Sequence, residues 1–193
     1  MKLVFATHND HKLKEVQQLL PASIQLLSLK DIECFDEIPE TGDTLEENAK
    51  IKADYVTHTY GLNCFSDDTG LLVDALHGAP GVFSARYAGD QKNAKDNMQK
   101  LLSELEGRNN RNAHFKTMVH LNLNGESYAF EGIVEGIITK EEQGNGGFGY
   151  DPIFRPNGYE KTFGELPSET KNAISHRGRA IEKLVDFLKK YAS

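Results

Sequence analysis

The chain has 193 residues, with 22 basic and 29 acidic side chains for a formal net charge of −7, and 38% of its residues are hydrophobic. This is enough apolar material for a buried core and too little charge imbalance for a disordered chain. The acidic balance argues against a polynucleotide track, which calls for a basic face, and no apolar run approaches the roughly 18 residues of a membrane span.

The N-terminus, Met1 to Thr7, turns polar too early for a signal peptide. Its short apolar run, residues 2–7, predicts a buried strand. Leu13, Val16, Leu19 and Leu20 then recur at helical spacing, predicting a helix over 10–20 that Pro21 ends. A second strand is predicted over 24–29. A helix over 43–60 opens at Asp43 or Thr44 and closes before Gly61. Residues 63–66 and 71–74 read as strand pieces flanking a polar turn. An amphipathic helix is predicted over 91–106, through Ala94, Met98, Leu101, Leu102 and Leu105.

The period then changes. Phe115, Thr117, Val119, Leu121 and Leu123 alternate with their neighbours, Asn124-Gly125 signals a two-residue hairpin turn, and the return strand is predicted over 127–138. A glycine-rich loop, Gly144 to Gly149, precedes a last helix over 176–191. Helix–strand alternation predicts an α/β fold with a mixed sheet covered by helices. One domain, 1–193, is expected, with a second lobe built from about 75–120. Cys34 and Cys64 are too few for a disulfide framework and sit among apolar residues, as expected of buried free thiols in a cytoplasmic protein.

Three stretches carry chemistry. Thr7, His8, Asn9, Asp10, His11 and Lys12 lie where the first strand meets the first helix. A helix start suits a phosphate, and Lys12 adds a point charge; the same residue types also serve as plain helix caps. The second stretch pairs Glu40-Thr41-Gly42-Asp43 and a helix bearing Lys52 with Ser66-Asp67-Asp68-Thr69-Gly70. Adjacent carboxylates between apolar strand ends suit a hard divalent cation such as Mg²⁺, or a general base; a turn in which both bond to backbone N–H groups is the alternative. The third is Gly146-Gly147-Phe148-Gly149-Tyr150-Asp151-Pro152 with Lys171 and Ser175-His176-Arg177. Its aromatics either stack on a nucleobase or pack into the core.

Taken in this order, the segments resemble the inosine triphosphate pyrophosphatase family, enzymes that cleave non-standard purine nucleoside triphosphates. Further residues carry the likeness: Glu47-Asn48-Ala49, Gly78-Ala79-Pro80-Gly81-Val82-Phe83-Ser84-Ala85-Arg86-Tyr87 and Lys171-Asn172. The resemblance implies two α/β lobes about an elongated mixed sheet with the active site in a cleft between them. It also implies a homodimer, Mg²⁺ dependence and hydrolysis of ITP, dITP and XTP to the monophosphate and pyrophosphate. It gives the turn from Thr7 to Lys12, with Lys52, to the triphosphate. Glu40 and Asp68, with Asp67, go to the metal, and Asp68 is the general base. Thr69, Phe148, Gly149, Tyr150, Asp151, Lys171, His176 and Arg177 go to the nucleotide. Arg177 is donor-only, so it is expected to favour a 6-oxo base over the 6-amino group of adenine. Neither nucleic acid nor a membrane is an expected partner. A pyrophosphatase for pyrimidine or modified nucleotides and a non-catalytic nucleotide-binding module are the competing readings.

Overall fold

The computed structural model describes residues 1–191. Among them are seven strands: β1 (Lys2–Phe5), β2 (Gln25–Leu27), β3 (Cys64–Val73), β4 (Pro80–Gly81), β5 (Asn112–Leu123), β6 (Glu126–Ile138) and β7 (Phe154–Pro156). The helices are α1 (Asp10–Leu19), α2 (Leu45–Tyr60), α3 (Ala94–Glu104), α4 (Ser168–Ile174) and α5 (His176–Tyr191). The strands form one sheet in the order β2-β1-β3-β5-β6-β7, with β4 on β3. β1 runs parallel to β2 and β3, while β3–β4 and β6–β7 are antiparallel, so the sheet is mixed, as the alternation predicts.

The chain divides into two compact units. The first takes Met1–Asp68, Thr117–Gly132 and the last helix from Arg177; the second takes Thr69–Lys116 and Ile133–His176.

In the first unit β1 is buried on both faces, which accounts for its unbroken apolar run. Leu3 and Phe5 face Val16 of α1, Val119 and Leu121 of β5, and Ala180, Ile181 and Leu184 of α5. Val4 and Ala6 face Ala53 and Val56 of α2, with Cys34 and Cys64 beside them. The rings of Phe5 and Phe65 stack with centroids 4.7 Å apart. Both cysteines are buried and free. The helix limits follow from capping. The Asn9 side chain accepts from the amides of His11 and Lys12 at the start of α1, and Thr44 and Glu47 form a capping box on α2, which ends on left-handed Gly61.

The second unit has its own core, in which Leu71 and Val73 pack with Met98, Leu101, Phe115, Val134, Ile138, Phe154 and Phe163. Asn124 and Gly125 both take positive φ, 51° and 87°, as a type I′ hairpin turn requires.

Several elements differ from expectation, and β4, β7 and α4 are additional to those the sequence predicts. Residues 64–73 form one continuous strand, not two pieces around a polar turn. The acidic pair within it stays extended because basic side chains from distant parts of the chain neutralise it. Helix α4 has only seven residues, Ser168 to Ile174, and no apolar period to announce it.

Candidate active site

Side chains alternate between the two faces of a strand, and β3 turns this into chemistry. Phe65 and Asp67 share one face, and Cys64, Ser66 and Asp68 the other. Phe65 packs with α1 and α5 residues, whereas the Ser66 hydroxyl donates to the Ala49 carbonyl of α2. The neighbouring carboxylates therefore enter different environments.

Asp67, on the α1/α5 face, is 1% exposed. Its Oδ1 accepts from Lys12 Nζ at 3.0 Å and its Oδ2 from Arg177 Nε at 3.0 Å. Arg177 is 2% exposed, and its Nη1 donates to Glu15 Oε2. Burial alone would raise the Asp67 carboxyl, but the charges of Lys12 and Arg177 hold it well below the usual carboxylate range. Burial lowers the Lys12 ammonium, and Asp67 partly offsets this. Glu15 has no place in the sequence-based site. The signal for it was position: it lies three residues after Lys12 on α1, hence on the same helix face.

Asp68, on the α2 face, meets Lys52, whose Nζ lies 3.9 Å from Asp68 Oδ1 and 2.6 Å from Glu40 Oε1, and donates to the Asp67 backbone carbonyl at 2.7 Å. Burial pushes the Asp68 carboxyl up, and the negative charges of Glu40 and Asp67 add to the rise against Lys52 and Lys12. For Lys52, burial works downward, yet Asp68, Glu40 and Asp67 outweigh it and raise the ammonium. Glu40 is held by the turn after it. Asn48, 1% exposed, accepts from the Gly42 amide at 2.8 Å. A Cβ on Gly42 would lie 2.6 Å from that of Glu47, so only glycine lets the turn approach α2.

This donor set fits a divalent cation of the Mg²⁺ type. Such an ion usually takes one or two protein carboxylates and completes its shell with water and substrate phosphates. Among the described residues no group of three or more His, Cys, Asp or Glu side chains forms a ready cage. Glu40 and Asp68 converge on one positive charge, whereas both Asp67 oxygens are bound to Lys12 and Arg177 on the opposite face.

The Thr7–Lys12 turn joins β1 to α1 in the same unit. Thr7 Oγ1 accepts from the Asn9 amide at 3.1 Å, and Asn9 caps the helix. Capping and ligand binding are compatible, because the Asn9 side chain also carries an NH₂ donor. His8 Nε2 bonds the Asp36 carbonyl at 2.9 Å, tying the turn to the segment that leads to Glu40. Asp10 and His11 are exposed, and Asp10 makes a 3.8 Å surface pair with Lys30.

The remaining predicted residues lie in the second unit. Thr69 follows Asp68 in β3 and is half-buried. Lys171 Nζ bonds Asp151 Oδ2 at 2.7 Å and sits 4.8 Å from the Phe148 ring centroid. Asp151 Oδ2 also accepts from the Phe148 amide at 2.8 Å, and Gly147, at φ 69°, has no room for a Cβ beside that carboxylate. Phe148 and Gly149 are half-buried. His176 stacks on Phe115 with centroids 4.5 Å apart. Of the two alternatives for the aromatics, Tyr150 takes core packing: it is 5% exposed, its hydroxyl donates to the Ser84 carbonyl at 2.7 Å, and its ring belongs to the core. Arg177, grouped with these residues by sequence, instead joins the first unit's carboxylates.

A model of the Ham1 family matches residues 3–187 of the chain. A protein of Flavobacterium johnsoniae named dITP/XTP pyrophosphatase is 61% identical over 188 residues, covering 97% of this chain and 98% of its own. The solved structure of a HAM1 protein from Coxiella burnetii has a TM-score of 0.91 at 40% identity, over 98% of this chain and 99% of that one. The Ham1 protein of Staphylococcus aureus gives a TM-score of 0.90 at 35% identity, over 99% of this chain and 100% of that one.

Proposed function

The chain belongs to the Ham1 family, and from that premise we propose that it hydrolyses the non-standard purine nucleotides ITP, dITP and XTP to the monophosphate and pyrophosphate. The relative named dITP/XTP pyrophosphatase, 61% identical over nearly the whole chain, supports the substrate class. The observation that carries the chemistry is the placing of Asp68 beside Glu40 and Lys52, where burial raises its carboxyl above the ordinary carboxylate value.

In this reading Glu40 and Asp68 would hold Mg²⁺, which would supply charge neutralisation at the phosphates. Lys12, at the start of α1, meets the triphosphate with the positive end of the helix behind it. Asp67 and Arg177 keep the Lys12 side chain in place. Asp68 takes the proton from the water that attacks the α-phosphorus, and pyrophosphate leaves. Lys52 moves to the phosphate oxygens. For the base we propose the cluster of Phe148, Asp151, Lys171 and His176. The half-buried Phe148 offers a stacking surface, and the Lys171 ammonium, oriented by Asp151, is a donor suited to a 6-oxo group and not to a 6-amino group.

We propose a cytoplasmic homodimer acting on free nucleotides, without nucleic acid or membrane. The two free, buried cysteines accord with that setting, and no helix among the described residues is long and apolar enough to cross a membrane. The deciding experiment is product analysis with ITP and Mg²⁺. IMP and pyrophosphate are expected; IDP and orthophosphate would refute the assigned bond cleavage.

A further inference from the structure

The acidic pair of the first unit already holds a cation, and that cation is a lysine. Lys52 Nζ lies 2.6 Å from Glu40 Oε1, 2.7 Å from the Asp67 carbonyl oxygen and 3.9 Å from Asp68 Oδ1. Its side chain is 10% exposed. Hard oxygens converging on one charge form the surroundings a divalent cation selects. The Lys12 ammonium is paired with Asp67 on the opposite face of β3.

We propose that Lys52 is the resident counter-ion of the metal site. Its ammonium occupies the place between Glu40 and Asp68 until a divalent cation and a triphosphate arrive together, and it then passes from the carboxylates to the phosphate oxygens. The inference rests on the reading of Glu40 and Asp68 as the metal-holding pair. No covalent bond changes; one set of ion pairs is exchanged for another.

The energetic argument concerns what happens to the displaced ammonium. A divalent cation arriving alone must expel Lys52 from a mostly buried position in which Glu40, Asp68 and a carbonyl compensate it. The other carboxylate close to it, Asp67, already holds Lys12 and Arg177, so the exchange takes a compensated cation away from its anions and is unfavourable. A triphosphate supplies the missing acceptor. Metal and nucleotide therefore bind cooperatively, and each raises the affinity for the other by the same factor. The protein loads its metal with its substrate and does not store it. Without Lys52, two carboxylates are left facing each other, and metal alone becomes the favoured partner.

Calorimetric titration with Mn²⁺ tests this. It is run with and without an ITP analogue bridged by a methylene between the α- and β-phosphorus, after correction for Mn²⁺ held by the analogue in solution. In the unaltered protein the analogue should tighten Mn²⁺ binding by on the order of tenfold. Lys52→Met should bind Mn²⁺ alone on the order of tenfold more tightly than the unaltered protein, and the analogue should tighten that binding less than in the unaltered protein. Lys52→Arg keeps the charge and should stay weak. Equal Mn²⁺ affinity in the unaltered protein and Lys52→Met overturns the proposal. Should Lys52→Met fail to fold, NMR of protein labelled at lysine Cε decides, with the Lys52 resonance assigned by its loss in Lys52→Arg. That resonance should move on joint addition of Mg²⁺ and analogue, and a stationary signal overturns the proposal. Asp68→Asn separates the two ideas. If it binds Mn²⁺ with the analogue as well as the unaltered protein does, the metal reading itself fails; if it does not, that reading stands and the Lys52 comparison alone decides.

Discussion

Asp67 and Asp68 are adjacent, carry the same functional group, and are driven in opposite directions. Asp67 is fully buried and lowered by Lys12 and Arg177; Asp68 is raised chiefly by its burial, with Glu40 adding to it. The two should therefore respond differently to the same substitution. Asp67 has a folded-state pKa below its unfolded value of 3.8. Its ionisation thus contributes stability that is fully present above that value and lost as pH falls through the lower, folded one. Asp67→Asn leaves two buried cations short of a charge and should cost about 3–5 kcal/mol at neutral pH. The gap from the unaltered protein should begin to narrow as pH falls below about 4. Asp68 has the reverse sign: its ionised form is disfavoured by folding, so Asp68→Asn should leave stability at neutral pH unchanged or higher. The same change should lower turnover of ITP by about two to three orders of magnitude. Urea unfolding from pH 3 to 8, with ITP turnover measured on the same samples, checks both. A loss of stability in Asp68→Asn as large as in Asp67→Asn would contradict the assignment of one carboxylate to holding charge and the other to chemistry.

At the level of elements, Glu40, the carboxylate proposed for the metal, depends on how α2 begins. The chain from Glu40 to Thr44 is bound to the helix at two points: Asn48 accepts from Gly42, and Glu47 Oε2 accepts from the Asp43 and Thr44 amides. These contacts have different tasks. The capping box stabilises the helix start, while the Gly42–Asn48 bond fixes the turn that carries Glu40. Thr44→Ala should cost about 1 kcal/mol of stability and leave the Mg²⁺ concentration for half-maximal ITP hydrolysis unchanged. Gly42→Ala forces a methyl against Glu47 Cβ, so the turn must lift from the helix. It should cost about 1–3 kcal/mol and raise the Mg²⁺ requirement as Glu40 moves from Asp68. Denaturant melts and Mg²⁺ titrations of the two variants separate the roles; an unchanged Mg²⁺ requirement in Gly42→Ala would show that Glu40 is not held through this turn. The β1–α1 junction works in a similar way, with Asn9 at once capping the helix and lying in the proposed triphosphate turn.

Across the whole molecule, a net charge of −7 first weighs against an anionic ligand, yet a few local charges govern a single triphosphate. Lys12 and Lys52 in the first unit and Lys171 in the second are each paired with one carboxylate or more. What could be read in the sequence was whatever local pattern determines. The α1 and α2 limits follow from Asn9, Thr44 and Gly61, the hairpin from Asn124-Gly125, and α5 from the period of Ala180, Ile181, Leu184 and Leu188. What could not be read depends on distant partners. Asp67 and Asp68 look like a turn until Lys12 and Arg177, 55 and 110 residues away from Asp67, neutralise the strand. Whether Tyr150 stacks on a ligand or packs into the core is decided by a distant residue, Ser84, whose carbonyl takes its hydroxyl. Glu15 looks like an ordinary helix acid until Arg177 reaches it. The same long-range dependence bears on unfolding. Backbone segments β3, β5 and β6 each contribute residues to both compact units. A strand that frays in one unit loses the register that continues into the other. Leu184 in the first core and Leu101 in the second are both fully buried. Leu184→Ala and Leu101→Ala should each cost about 2–5 kcal/mol. For a chain of this size, that lowers the melting temperature by roughly 2–4 °C per kcal/mol. Calorimetry should find a single transition in each variant, displaced as a whole. If either substitution splits the melt, with one half kept at the original temperature, the units unfold independently and the shared strands do not couple them.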